Sequence, residues 1–500
     1  MSFLTNFKKA FICLSVLFFS SFHLHAQFTY KRMLSMDDVI QLAQENSVSG
    51  MTNRNNFLAS YWSYRSFKAN YLPSVSVSAQ LMNFNRSLVA LQDYNTGEIN
   101  YRSNYNLSNQ VTLSIRQNIA ATGGTIQLYS DMRRLDQFQP SHRQTYYVQP
   151  VTLYYLQPIW QYNSLKWDKK IEPNRYERSK RQYLESMERV TQTATSYFWN
   201  YVRARVEYDM AVDNFEKDKK LYKNAQTRFA MGTKTKDDIL QLELNVLKDS
   251  ISVTDQSVNL TNARNNLCSF IGYTEDADFD LQVSYVIPEL QLDYDDVLDK
   301  SLNNSSFTIG QLISKLESDR SIAQAKGQRG VRASFNATFG LSNNNDLFSQ
   351  AFKDVQDQEV VGVTIDIPIL DWGLGKGRVK MAEAQAEATR YQLQQDRQDY
   401  ERDLFTRVVQ FNNQYAQCQI AKRAAQVAEE SYQNAVDNFG NGAMSVTDLN
   451  ALKSSRDNAR LSYVNSVANY WNYYFTIRGL TLFDYATFTN ISAEFDKLTK

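Results

Sequence analysis

Residues 222–238 read YKNAQTRFAMGTKTKDD, and residues 432–448 read YQNAVDNFGNGAMSVTD. The two stretches are aligned at a constant offset of 210 positions and share six residues, at Tyr222/Tyr432, Asn224/Asn434, Ala225/Ala435, Phe229/Phe439, Gly232/Gly442 and Asp238/Asp448. Glycine suits the backbone just after a helix, and an acidic residue suits the first turn of the next helix. The sequence therefore predicts two helical hairpins built on one plan, with turns near Gly232 and Gly442.

Helix-breaking residues are scarce on both sides of these turns. The 500-residue chain has only 7 Pro and 17 Gly, with no proline from 174 to 287 or after 368. Since proline and glycine interrupt helices, long helices are expected. We predict one helix from Asn174 to Met231, after Pro173, and a return helix from Lys236 to Phe270.

Apolar residues repeat every seven positions along these helices, which predicts supercoiled packing against neighbouring helices. The repeating residues are Tyr201, Tyr208, Phe215, Tyr222 and Phe229, then Ile239, Val246, Val253, Leu260 and Leu267. Such a stripe is best interpreted as core packing rather than as a ligand site. The charged run Lys217–Lys220 is interpreted as a solvated face.

The rest of the chain alternates in the manner of β-strands, as in Val75-Ser76-Val77-Ser78. A second offset, of 258, pairs Leu34 with Leu292 and Asp38 with Asp296. The two offsets differ by 48 residues, which lie between 80 and 150. The sequence does not say whether these extra residues add strands to a sheet or form a hairpin outside it. The predicted organisation is a signal peptide at 1–26, repeats at 27–287 (β segment 74–160) and 288–485 (β segment 331–370), and a tail at 486–500.

The N-terminus has the order of a secretory signal. Lys8 and Lys9 precede the apolar run Ala10 to Phe22, and a small residue, Ala26, marks the expected cleavage site. The mature chain then has one His and two Cys, Cys268 and Cys418, which we interpret as buried thiols. This composition argues against a zinc site or a catalytic triad, and no cofactor is predicted. The near balance of 54 basic and 53 acidic residues argues against nucleic-acid binding.

Further motifs lie at the ends of the β segments: Tyr71-Leu72-Pro73 before the first strands, and Gln157-Pro158-Ile159 and Ile367-Pro368-Ile369 after the strands. With these motifs and the paired turns, the sequence resembles the TolC-like outer-membrane efflux protein family. The resemblance covers about residues 34–485. It implies an α+β membrane protein with an internal twofold repeat. Long coiled-coil helices would form an α-barrel tunnel in the periplasm, and three protomers would share one transmembrane β-barrel. It also implies a homotrimer in outer-membrane lipid that works with a periplasmic adaptor protein and an inner-membrane transporter.

The resemblance assigns roles to the residues of the two tips. Asp238 and Asp448 match acidic positions that narrow the periplasmic end of the channel, although N-capping of the return helices explains them equally. Where many relatives carry a gate-linking Arg, this chain has Met444, and Ala451 replaces a further acidic residue. Lys234 or Lys236 could then take part in closing the gate. The adaptor-docking tip is predicted to comprise Phe229, Met231, Gly232, Phe439, Asn441 and Gly442.

These features favour an exit duct of a tripartite efflux pump. A type I protein secretion channel remains an alternative, because a tunnel transmits whatever its partners load. A periplasmic coiled-coil scaffold would explain the heptads but not the alternating strands. A simple porin would explain the strands but not the long helices. An enzyme is not expected, since the sequence has no nucleophile–base pair, phosphate loop or metal cluster.

Overall fold

The computed structural model describes residues 32–92, 94, 96–139, 141–231, 235–274 and 279–499. The predicted signal peptide, and Gly232 and Lys234 of the first turn, lie outside the described residues. The helices are α1 (Met36–Asn46), α2 (Val48–Ala69), α3 (Ser164–Ala230), α4 (Lys236–Ile271), α5 (Tyr294–Asn304), α6 (Ser306–Arg329), α7 (Phe348–Ala351), α8 (Leu374–Gly440), α9 (Val446–Thr481) and α10 (Phe495–Leu498). The strands are β1 (Arg32–Leu34), β2 (Ser74–Gln92), β3 (Ile99–Ile119), β4 (Gly124–Gln137), β5 (Arg143–Ile159), β6 (Phe279–Leu281), β7 (Arg332–Asn345), β8 (Gln356–Asp366), β9 (Phe483–Asp484) and β10 (Thr489–Asn490).

The chain divides into two compact units. We call one the tip unit; its described residues are 32–47, 193–231, 235–274, 279–286 and 424–468. The other, the sheet unit, comprises residues 48–192, 287–423 and 469–500. None of the described helices is apolar enough over a sufficient length to cross a membrane.

The two long helices, α3 and α8, have 67 residues each, and the helices that follow them, α4 and α9, have 36 each. The predicted start of the first long helix was wrong, because α3 begins at Ser164 and continues through Pro173. Proline lacks the N–H that the helix ladder needs. The N–H missing at Pro173 would have bonded to the carbonyl of Lys169. The Asn174 side chain donates a hydrogen bond of 2.8 Å to the adjacent carbonyl, that of Lys170. Packing adds support, since the Tyr176 ring lies 4.6 Å from that of Tyr64 in a stacked geometry.

The sheet unit contains one antiparallel six-stranded sheet in the order β2-β3-β4-β5-β7-β8. The first repeat contributes four of these strands and the second contributes two. The 48 extra residues therefore supply additional strands, β3 and β4, which lie between β2 and β5. The sheet is open, with β2 and β8 as its two edges among the described residues.

The two faces of this sheet differ sharply in polarity. One row of paired residues runs across five strands as Val75, Ile115, Leu128, Leu153 and Phe339, and it ends at Glu359 on β8. All five side chains are 39–67% exposed. The neighbouring row, on the opposite face, consists of Ser76, Ser114, Tyr129, Thr152, Gly340 and Gln358. The alternation seen in the sequence thus gives an apolar face and a polar face. The apolar row is exposed, whereas the polar row, apart from Ser76, is half-buried or buried.

The two described cysteines confirm the sequence interpretation. Cys268 and Cys418 are buried thiols that are not joined in a disulfide. Burial raises the pKa of the Cys418 thiol to about 11. The thiol is therefore protonated and a poor nucleophile at neutral pH.

Candidate functional site

The second helical turn, between α8 and α9, is closed by two backbone hydrogen bonds. At the end of α8, the Ala443 N–H donates to the Asn438 carbonyl at 2.9 Å, and the Gly442 N–H donates to the Phe439 carbonyl at 3.1 Å. Gly442 has a φ of 78°, the left-handed conformation that glycine adopts without a steric penalty. Asn441 and Gly442 are exposed, so this turn presents backbone groups to solvent.

Asp238 and Asp448 occupy the same structural position, the third residue of α4 and of α9. In the first tip, Asp238 Oδ2 accepts hydrogen bonds from the N–H and the hydroxyl of Thr235, at 3.2 and 2.9 Å. In the second, Asp448 Oδ2 accepts one from the Ser445 hydroxyl at 2.7 Å. In return, the backbone N–H of Asp238 donates to the Thr235 hydroxyl, and that of Asp448 donates to the Ser445 hydroxyl. Asp238 therefore completes a capping box with Thr235, whereas the Asp448 carboxylate holds the Ser445 hydroxyl that caps α9. Both carboxylates remain at least partly exposed.

The equivalent phenylalanines of the two tips have different environments. Phe439 is only 4% exposed and packs in an apolar cluster whose other buried members are Ala225, Leu242, Tyr432, Ala435, Val446 and Leu449. Phe229, in contrast, is 45% exposed, and the neighbouring Met231 is also exposed. Phe439 therefore stabilises the tip from within, and its ring does not offer a contact surface. Phe229 and Met231 are available for contact.

Met444 stands where the resemblance leads one to expect a gate-linking arginine. Its partly buried side chain packs against the Phe439 cluster. A methionine fills an irregular apolar gap well but makes no ion pair. Met444 therefore belongs to the hydrophobic packing of the turn and supplies no charge there.

The sequence pattern missed an exposed apolar stripe on α4. Leu240, Leu244, Leu247, Ile251 and Val258 are 49–63% exposed. Their spacings of four, three, four and seven residues place them on one face of the helix. The predicted heptad residues of α4, in contrast, are partly or fully buried. The helix thus has two apolar stripes. In the sequence, the residues of the second lie one position after a seam residue (Leu240 and Leu247) or two positions before one (Leu244, Ile251 and Val258).

A buried ionic cluster joins three helices of the tip unit. Lys453 Nζ of α9 donates to Asp218 Oδ2 of α3 at 2.9 Å and to Asp249 Oδ2 of α4 at 2.8 Å. Burial raises the pKa of Asp249 to about 6, against the opposing influence of Lys453. The interpretation of Lys217–Lys220 as a solvated face was wrong for Asp218, which is buried. Burial of the Asp218 carboxylate is possible because Lys453, which lies far away in the sequence, pairs with its charge.

A second cluster links α3, α8 and α9 through Arg456, which is almost fully buried. Its guanidinium donates to the side chain of Asn214 and to Asp457 Oδ1. Asn214 Nδ2 in turn donates to Asp457 Oδ2 at 2.8 Å. The guanidinium carbon lies 4.1 Å from the centre of the Tyr432 ring, a cation–π arrangement. Burial raises the pKa of Tyr432 to about 12.

Residues 316–480 match the model of a family described as outer membrane efflux protein. The comparison with curated proteins gave no match. Among solved structures, the CmeC outer membrane channel of Campylobacter jejuni matches with a TM-score of 0.66 and 15% identity, covering 93% of this chain and 89% of that one.

Two further channels show the same likeness. The outer membrane protein VceC of Vibrio cholerae matches with a TM-score of 0.62 and 13% identity, over 91% of this chain and 97% of that one. The MtrE outer membrane channel of Neisseria gonorrhoeae, in its open state, matches with a TM-score of 0.60 and 13% identity, over 89% of this chain and 88% of that one. At these identities the structures show a shared fold. The family match and the shared fold confirm the resemblance seen in the sequence: the chain carries an outer membrane efflux protein domain and has the fold of the TolC-like outer-membrane channels.

Proposed function

We propose that this chain is exported to the outer membrane and forms, as a homotrimer, the exit duct of a tripartite efflux pump. The domain match at 316–480 and the channel fold support this proposal. In the proposed organisation, residues 1–26 are a signal peptide, 27–287 and 288–485 are the two repeats, and 486–500 are a tail. A periplasmic adaptor and an inner-membrane transporter supply the cargo.

The observation that carries the proposal is the open sheet with its uncovered apolar face. Lipid suits that face, but it cannot satisfy the unpaired backbone groups of the edge strands β2 and β8. Because the six strands alternate in direction, β8 of one protomer can pair in antiparallel fashion with β2 of the next. A closed cyclic assembly of identical chains removes every edge, and three copies are the number that the family resemblance implies.

The tip unit supplies the proposed contacts with the adaptor. Phe229 and Met231 are exposed apolar side chains, and Asn441 and Gly442 form an exposed turn. We propose that these residues, with Gly232, form the docking surface, while Phe439 holds the turn in shape from inside. Asp238 and Asp448 would form the cation-favouring constriction while they stabilise the starts of α4 and α9, because their hydrogen bonds to Thr235 and Ser445 leave both carboxylates at least partly exposed.

The proposal is tested by expressing the full chain in a Gram-negative host and separating the membranes without detergent. Recovery in the outer membrane, and the mass of a trimer after extraction, are the expected results. A monomer of complete mass in the periplasmic fraction would refute the duct and favour a coiled-coil scaffold. Crosslinking at Met231→Cys, followed by identification of the captured adaptor and transporter, then separates drug efflux from protein secretion.

A further inference from the structure

We infer that the inserted strands β3 and β4 are part of the membrane wall, so that the assembled barrel has 18 strands. The inference rests on the proposed homotrimer and specifies the width of its exit. The second repeat contributes two strands to the sheet, whereas the first contributes four. Without the insertion, three chains would supply 12 strands.

The pairing shows that β3 and β4 are structural members of the sheet. β3 pairs with β2 from Arg116 to Ile99, and β4 pairs with β3 from Gly124 to Gln137. β4 also pairs with β5 over nearly its whole length. An external hairpin would leave β2 and β5 to pair with each other. Instead, the two inserted strands separate them.

The side chains of the inserted strands continue both faces of the sheet. Val111, Leu113 and Ile115 of β3 lie on the apolar face, in register with Met132, Ser130 and Leu128 of β4. On the polar face, Asp131 is buried and its Oδ1 accepts hydrogen bonds from Gln110 and Thr112. A carboxylate and its polar partners suit a water-filled lumen and not lipid. Along these rows the insertion therefore follows the same apolar–polar alternation as the strands around it. Farther along β4 the positions on the apolar side are Arg134 and Asp136, which form an ion pair.

Aromatic side chains flank this apolar face, as they do at membrane interfaces. The exposed Trp160 follows β5, and the exposed Trp372 follows β8. On the other side of the apolar rows, about midway along β2, the rings of Phe84 and Tyr105 contact each other across β2 and β3. The occupant of the face is thus bilayer lipid, with interfacial aromatics on either side of the apolar rows.

Barrel diameter grows roughly linearly with strand number, so 18 strands give a barrel about 1.5-fold wider than 12. Barrels of this size enclose an aqueous channel rather than a packed core. The exit pore then does not select cargo by size. Selection falls to the tip unit, where Asp238 and Asp448 lie.

The test uses single cysteines in a Cys268→Ala, Cys418→Ala background of the full chain, reconstituted in liposomes. Leu113→Cys and Leu128→Cys report on the apolar face of the inserted strands. Their neighbours Ser114→Cys and Gln127→Cys report on the polar face. The probe is a charged, membrane-impermeant maleimide. We expect labelling of the polar-face cysteines and loss of labelling on the apolar face.

Val363→Cys and Thr364→Cys on β8 are the matched controls, because they sample the two faces of a strand outside the insertion. If only Thr364→Cys of this pair is labelled but the β3 and β4 cysteines are all labelled, the inserted strands are not in the wall. The inference then fails, and the proposed membrane duct stands. If the β8 pair does not alternate either, the proposed membrane duct fails and the inference falls with it. Electron cryomicroscopy of the unmodified trimer counts the strands directly: 18 supports the inference, and 12 overturns it.

Discussion

Lys453→Met removes the only cation of the ionic cluster that joins α3, α4 and α9 in the tip unit. The methionine side chain is nearly as long, so the main change is the loss of charge beside Asp218 and Asp249. All three side chains are at most 15% exposed. Removing one partner of a buried ion pair costs about 3–5 kcal/mol. Local opening of these helices should therefore become at least ~100-fold more frequent.

Hydrogen exchange of the α3 and α4 amides near Asp218 and Asp249 measures this opening. The matched control is Lys248→Met, which removes an exposed lysine next to Asp249. The control should leave exchange unchanged. Equal exchange in the two variants at pH 8 would refute the view that the cluster stabilises the tip unit.

The pH dependence gives a second test of the same cluster. The folded-state pKa of Asp249, about 6, lies above its ordinary value of 3.8. Folding therefore favours the protonated carboxyl, and its contribution to stability is fully present below about pH 4 and lost as the pH rises through about 6. Without Lys453 the pKa rises further. The destabilisation caused by Lys453→Met should be larger at pH 8 than at pH 5, and a loss independent of pH would contradict this assignment.

Three further outcomes are expected. The double variant Asp238→Asn, Asp448→Asn keeps a hydrogen-bond-accepting oxygen at each position but removes the charge. Cation selectivity in planar-bilayer recordings should therefore fall, with little change in the thermal unfolding midpoint. Unchanged selectivity would leave stabilisation of the helix starts as the only role. Phe439→Ala should destabilise the tip unit by about 3–5 kcal/mol, because it leaves a cavity in the apolar cluster. Phe229→Ala should instead weaken crosslinking to the adaptor while stability stays nearly normal. The reverse pattern would contradict the assignment of Phe439 as buried and Phe229 as exposed. Gly442→Ala should cost about 1–2 kcal/mol because of the left-handed backbone, and Gly442→Asn should cost less; equal costs in chemical denaturation would show that the turn relaxes.

Many helix ends and strands of this protein could be predicted from the sequence alone, because they depend on local chemistry. Gly442, Thr235 with Asp238, and Ser445 with Asp448 mark helix ends because each acts on backbone groups within a few residues of itself. The alternation in β2 and β3 likewise needs only the geometry of a strand. The offsets of 210 and 258 exposed the repeat, and the difference of 48 between them located the inserted residues.

Only the tertiary structure decided which similar residues have different roles. Phe229 and Phe439 stand in matching sequence contexts, yet the apolar cluster that buries Phe439 is assembled from four helices. Asp218 lies in a run of lysines, but it is buried because Lys453 reaches it from α9. Pro173 remains inside a helix because neighbouring side chains support it, and β3 and β4 enter the sheet because β2 and β5 accept them as partners. Burial, ion pairing and strand order depend on groups far apart in the chain, and no local pattern contains that information.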